Sequence, residues 1–282
     1  VYWDHLVGRY VLTTPQPETA LSFMKAHNVS YLLIDPTDFG KYPAYSSIGS
    51  DSNGEDRFAQ IPIMVVDSAQ TIESADKEMR IYQGAAPVDE DIVFADENSS
   101  VFLPSGRAYI IGVVVEISKS AGSFTLKQPI AVFVYNNQQI RIPMRYIYYN
   151  GQMHDFENGI ESAIYLIPQV KQVDNGIQMD EMGALIYLSQ KVSNTLVAQL
   201  YLMSDPSHQY DGINLAHSQP DPLETSLEMY SGKNVNEFFY FNGLRGPLKI
   251  WEVNPPEYII AREEFSMTSG EFAGLDNLTF VK

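Results

Sequence analysis

Asp38, Lys41, Tyr45 and Ile48, in the stretch DFGKYPAYSSIG (38–49), have types and spacing suited to reading a small ligand. At i, i+3, i+7 and i+10 they share one face of a helix. Asp38 near the helix start suits the dipole and can pair with Lys41, whose methylene stem can lie beside Tyr45. An acid, an ammonium, a phenol and an aliphatic group offer both polar and apolar contacts. The same spacing also suits a structural helix, with Tyr45 and Ile48 in the core and a surface ion pair worth under about 1 kcal/mol. Pro43, beyond the first turn, removes a hydrogen bond and crowds the turn before it, so a kinked or irregular helix is expected.

Other constellations for chemistry are thin. His5, His27, His154, His208 and His217 show no zinc-ligand spacing. The loop carrying His208, Asp211, His217 and Asp221 could attract a cation but reads as a solvated polar loop. DEDIVFADE (89–97) lacks the regular acidic spacing of a calcium loop. There is no G-x-S-x-G, P-loop or dinucleotide fingerprint.

The elements that must position the DFGK stretch are legible. In TTPQPETALSFMKAHN, Thr14 is a candidate cap, Pro15, Pro17 and Glu18 suit a first turn, and Ala20, Leu21 and Met24 recur at helical spacing. VSYLLID (29–35) then reads as a buried strand, and Asp35-Pro36-Thr37 ends it and caps the next helix. From 56 to 96, QIPIMVVD and EMRIYQG look like strands and DEDIVFADENSS like a loop around one short strand. Between roughly 105 and 190, period-two and β-branched runs separated by SAG, NNQ and NGQ predict an antiparallel sheet or small barrel. Helical periodicity returns in VSNTLVAQLYLMSD, with Ser193 as candidate cap and Leu196, Val197, Leu200 and Tyr201 as apolar stripe. EFFYFNG and GPLKIWEVN read as two later strands. The fold class expected is a mixed α/β (α+β) core, 1–104 with 191–282, interrupted by an inserted antiparallel β-rich module at 105–190.

Composition narrows the functions. Across 282 residues, 18 Lys+Arg against 35 Asp+Glu leave a net charge of −17. That charge repels phosphate backbones, so nucleic acid is not expected as a partner. Eighteen tyrosines and 14 phenylalanines mark a folded protein rather than an acidic tail. Having no cysteine, the chain forms no disulfide and offers no thiolate metal site. Crossing a bilayer takes roughly 20 apolar residues. Apolar runs such as Tyr109 to Val115 fall well short of that length. The opening VYWDHLVGRY suggests part of a longer protein. Three sequons, at Asn28, Asn98 and Asn277, suit an extracytoplasmic setting.

YLLIDPTDFGKYPAYSSIGS resembles the strand and helix carrying the D-x-x-K signature in the C-terminal globular domain of the archaeal oligosaccharyltransferase catalytic subunit, the AglB family. Asp38 and Lys41 match that signature; the apolar member of the family pattern falls on Tyr45, or on Ile48 with an insertion. TPQPETALSFMKAHNVSYLLID, NTLVAQLYLM, EFFYFNG and GPLKIWEV resemble neighbouring family blocks, so the likeness spans most of 13–254. The family's WWDYG motif is missing. Tyr2-Trp3-Asp4-His5-Leu6 matches only Trp-Asp and lies close to the signature, so the resemblance places the pentapeptide upstream; if Trp3 and Asp4 are its remnant, Asp4 accepts the sequon hydroxyl.

The resemblance implies a soluble domain of a multi-pass membrane protein on the extracytoplasmic face of the cell membrane. The whole enzyme would transfer oligosaccharide from a polyprenyl or dolichyl phosphate carrier to Asn of Asn-X-Ser/Thr, using a divalent metal, Mn or Mg. Its metal ligands and catalytic acids lie in membrane-embedded segments, so this chain alone is expected to be inactive and to help bind the acceptor Ser or Thr. The alternative reading is a secreted or surface-anchored carbohydrate- or protein-binding module without catalysis.

Overall fold

The structure, a computed structural model, describes residues 2–51, 53–96, 100–120, 123–173, 176–219 and 248–265. Along the chain come α1 (Tyr2–Val7), a π-helical turn (Gly8–Leu12), α2 (Pro17–Ala26), β1 (Tyr31–Ile34) and α3 (Pro36–Gly49). Strands follow: β2 (Ile63–Val66), β3 (Ile72–Glu73), β4 (Lys77–Pro87), β5 (Ile92–Ala95), β6 (Ser100–Leu103), β7 (Tyr109–Ser120), β8 (Ser123–Leu126), β9 (Ile130–Tyr135), β10 (Gln138–Tyr149), β11 (Gln152–Asp155), β12 (Ile160–Val173) and β13 (Gly176–Leu188). The chain continues through α4 (Gln190–Ser193), a second π-helical turn (Val197–Leu202), β14 (Ile213–Gln219) and β15 (Leu248–Val253). The protein is mixed α/β and strand-rich, with antiparallel sheets and a seven-stranded barrel. It divides into two compact units, one holding Val1–Phe58 with the later segments from Asn194 and Arg245, the other centred on Ala59–Ser193.

In the first unit β1, β15 and β14 form an antiparallel sheet with β15 in the middle. Pro17 opens α2, where its missing N–H costs nothing. Thr14 serves the approach instead of the cap, its Oγ accepting from Gln16 N at 3.3 Å. Strand β1 is half-buried instead of buried. Tyr31 is 64% exposed and Leu33 52%, while Ile34 is sealed. Only alternate side chains of a strand reach the core. Ser193 ends the short α4 instead of capping the helix expected after it, and that helix is the π-helical turn, whose Leu200 and Tyr201 are buried as the apolar stripe predicts. EFFYFNG lies outside the described residues.

The second unit is built on a closed ring of strands, β4-β2-β13-β12-β10-β9-β7, joined back to β4 by the β4–β7 pairing. All pairs are antiparallel except β10–β12. Closure leaves no unpaired edge in the ring and encloses Met64, Tyr82, Val115, Phe133, Ile142, Met144 and Leu185. The strand network starts this unit at Ala59, upstream of the expected 105, because β2 and β4 are staves of the same barrel.

Where the short β2 runs out, side chains close the wall. Arg80 on β4 reaches Glu78 at 2.5 Å, and its Nη1 donates to Asp180 (2.6 Å) and to Met182 O (3.0 Å) on β13. The Tyr82 hydroxyl donates to the same carbonyl at 2.6 Å. Burial would raise the Glu78 pKa, but hydrogen bonds from Lys119 and Arg80 hold it below the ordinary value.

Asp89 and Glu90 behave oppositely. Asp89 accepts from Gln60 N at 3.2 Å. Glu90 accepts from Gln190 N (2.6 Å) and Lys191 N (3.0 Å). It thereby caps α4 from outside. Burial raises both pKa values, and the Asp89 charge adds to the rise at Glu90. An acid with a raised native pKa is destabilising when ionised, and that penalty vanishes as pH falls below its unfolded value near 4. Asp89→Asn is therefore expected to raise the melting temperature relative to the parent most at about pH 8 and least at about pH 4. Calorimetry across that range checks it; a constant difference would refute the ionised-state penalty.

Candidate functional site

The site is assembled on α3. Asp35 caps the helix, its Oδ1 accepting from Thr37 N at 2.7 Å. Asp38 Oδ2 accepts from Asp35 N at 2.9 Å, completing a capping box. The other Asp38 oxygen, Oδ1, accepts from the Tyr45 hydroxyl at 3.0 Å, two turns on. Both carboxylate oxygens are thus committed, and the expected Asp38–Lys41 pair does not form: Lys41 Nζ instead sits 3.5 Å from Thr37 Oγ1, on the exposed side. The helix continues through Pro43 to Gly49.

Trp3 and Asp4 come to the same place from α1. A cavity of about 300 Å³ is lined by Trp3, Asp4, Asp38 and Tyr45, with an apolar wall that includes Val7 and Leu33. Lys41 is exposed and Ile48 is 41% exposed; neither lines the cavity. The four residues picked by helical spacing therefore separate into two in the cavity wall, Asp38 and Tyr45, and two on the outward surface of the helix. Trp3 and Asp4, close to the signature along the chain, share its cavity in space.

Two glycines make this possible. A Cβ on Gly8 would lie 2.7 Å from Tyr45 O, and one on Gly49 would lie 2.7 Å from both Arg9 N and Gly8 C. Backbone against backbone, the start of the first π-helical turn and the end of α3 touch with no room for a methyl group. Around that contact His5 Nδ1–H donates to Ile48 O (2.6 Å), and Arg9 donates to Gly49 O (3.1 Å) and Asp56 (2.8 Å). Two of these bonds satisfy carbonyls that the helix end leaves open. The Trp3 ring packs edge-on against His27 at 5.3 Å, and His27 lies 4.4 Å from Phe23. Burial in this aromatic cluster lowers the His27 pKa.

Tyr45 keeps its phenol protonated at neutral pH. Burial, and then the neighbouring Asp38 carboxylate, push its phenol up to about 12. The cavity offers two carboxylates, a phenol and aliphatic walls, so it can contact both polar and apolar parts of one small group.

Elsewhere, the cation reading of the 208–221 loop is not supported: the Asp211 carboxylate accepts from the Tyr258 hydroxyl at 2.9 Å, and Asp221 lies outside the described residues. Among the described residues no group of three or more His, Cys, Asp or Glu side chains is arranged to hold a metal ion. No described helix is long and apolar enough to cross a membrane. Comparisons with protein-family models, curated proteins and solved structures found no match.

Proposed function

We propose that this chain is the acceptor-reading part of an extracytoplasmic domain in a membrane oligosaccharyltransferase of the archaeal AglB type. The observation that carries the reading is the shared cavity of Trp3, Asp4, Asp38 and Tyr45, which joins the Trp-Asp pair to the D-x-x-K helix. In this reading the architecture is an α+β core with the β-rich unit inserted into it, and the core holds the acceptor. Asp4 accepts the hydroxyl proton of the sequon Thr, while Val7 and Leu33 face its methyl group. Asp38, held by its cap and by Tyr45, keeps that wall in place, and Lys41 and Ile48 form an outer rim along the peptide. The lipid-linked oligosaccharide and a divalent metal, which would polarise the reacting groups, belong to membrane-embedded parts of the longer enzyme.

The Thr side chain supplies the test. A lost methyl contact costs about 1–3 kcal/mol, and an acceptor left without its hydroxyl costs a similar amount or more. Calorimetric titration of the chain with Asn-Ala-Thr and Asn-Ala-Val peptides should show the threonine peptide binding roughly 10-fold tighter, a preference that Asp4→Ala removes. In the intact enzyme Asp4→Ala should raise the peptide KM by a similar factor, with Lys41→Ala having the smaller effect because its amine stands outside the cavity. Equal binding of the two peptides, or an unchanged KM in Asp4→Ala, would remove the assignment and favour a binding module of another kind.

A further inference from the structure

A second cavity, of about 150 Å³, opens beside β14 and β15 in the first unit, and its polar lining has no role in the acceptor reading. Ser204, His208 and Lys249 line it together with Leu200, Ile213 and Leu215. Lys249 Nζ donates to Tyr201 O at 2.8 Å and lies 5.1 Å from the Tyr201 ring centroid. Among the described residues it has no carboxylate partner, in a chain whose net charge is −17. The one acid in the lining, Asp205, spends both oxygens on its own loop, accepting from Gln209 N (2.8 Å) and Tyr210 N (2.9 Å). The Ser204 hydroxyl and the His208 ring belong to exposed residues and have no hydrogen-bond partner among the described residues, so water satisfies them until a ligand takes its place.

The loop itself is held in an unfavourable shape. Ser204, Asp205 and His208 have φ values of 56°, 49° and 50°. These lie in the left-handed region, uncommon for non-glycine residues, though Asp and His visit it more readily than most. A part-buried ammonium with a single carbonyl acceptor keeps donor capacity unused, and burial alone lowers its pKa. The spare donors of the part-buried Lys249 ammonium on one small cavity suit an anionic acceptor. The apolar remainder of the lining calls for a short hydrocarbon.

We propose that this cavity seats a carboxylate on a short aliphatic stem, its head bound by Lys249, Ser204 and His208 and its stem against Leu200, Ile213 and Leu215. The volume equals about five waters at roughly 30 Å³ each, enough for an acid of about six heavy atoms. Such a group could arrive as a free short-chain acid or as the side chain of a glutamate.

Butyrate is the probe for the first source and N-acetylglutamate methylamide for the second, each titrated into the full chain against equal sodium chloride. Binding with a Kd of about 1 mM is expected, with a dose-dependent rise in melting temperature. Saturating ligand should slow acetylation of Lys249 severalfold, read by mass spectrometry, while leaving the exposed Lys41 unchanged. Lys249→Met should abolish the effect; if that variant does not fold, His208→Ala and Ser204→Ala carry the test and should each weaken binding about 3- to 10-fold. Tighter binding of butyrate assigns the seat to a free acid, and tighter binding of the glutamate mimic assigns it to an acidic side chain. Unchanged Lys249 labelling at about 50 mM of both probes would overturn the proposal.

Discussion

Gly49→Ala is expected to destabilise the first unit by about 3 kcal/mol, a fall in melting temperature of roughly 10 °C. The added Cβ would meet Arg9 N and Gly8 C at 2.7 Å, and both are backbone atoms that no rotamer change can move aside. The π-helical turn and α3 must separate, which also strains the His5–Ile48 and Arg9–Gly49 hydrogen bonds. Gly8→Ala meets Tyr45 O at the same distance and should act alike. Because the two glycines touch each other, the double variant should lose much less than the sum of the single losses. Thermal unfolding of the four combinations measures this, and additive losses would show that the two sites do not share one contact. The same variants should weaken threonine-peptide binding, because α1 carries Trp3 and Asp4 to the cavity and α3 carries Asp38 and Tyr45.

Arg80→Met should cost the barrel unit roughly 3 kcal/mol at neutral pH, since it leaves Asp180 without its cation and Glu78 with Lys119 alone. The Arg80 and Glu78 side chains are only 14% and 12% exposed. Solvent therefore screens their interaction weakly. Against the cost of burial, hydrogen bonds from Lys119 and Arg80 depress the pKa of Glu78. Its contribution is complete above the unfolded value near 4.3 and is lost as pH falls through the lower native value. The gap between parent and Arg80→Met in equilibrium denaturant unfolding should therefore narrow at about pH 3. A gap that stays constant with pH would mean that Arg80 acts by packing its stem and not through its carboxylate partners.

Much of the local architecture was legible because its signals are local. Pro17 marks the start of α2, and Asp35 and Asp38 form the cap that the Asp-Pro-Thr stretch suggested. The long β-branched runs from Tyr109 to Leu188 are strands. Alternation says which residues leave a strand on the same side but not which strand lies next to it. That is why β2 and β4 were not placed with β7 and β9: their pairing joins residues such as Tyr82 and Val113, far apart in sequence.

The candidate site shows the same division at single side chains. Spacing put Asp38, Lys41, Tyr45 and Ile48 on one helical face, yet only Asp38 and Tyr45 reach the cavity. Asp38 had two competitors for its oxygens, the Asp35 amide and the Tyr45 hydroxyl, and these outcompeted a flexible, solvated ammonium. The joining of Trp3 and Asp4 to that helix was signalled only by their partial match to the family pentapeptide; the two glycines that allow it matter for the space they leave.

From its residues alone the chain determined its acidity, the starts of α2 and α3, the cap of α3, and where most of its strands run, because each follows from charge, composition or neighbours a few positions away. Ring closure around the barrel, the meeting of α1 with α3 and the partner each polar side chain takes were decided only in three dimensions. Those outcomes depend on contacts between distant segments competing for the same space and the same hydrogen-bonding groups.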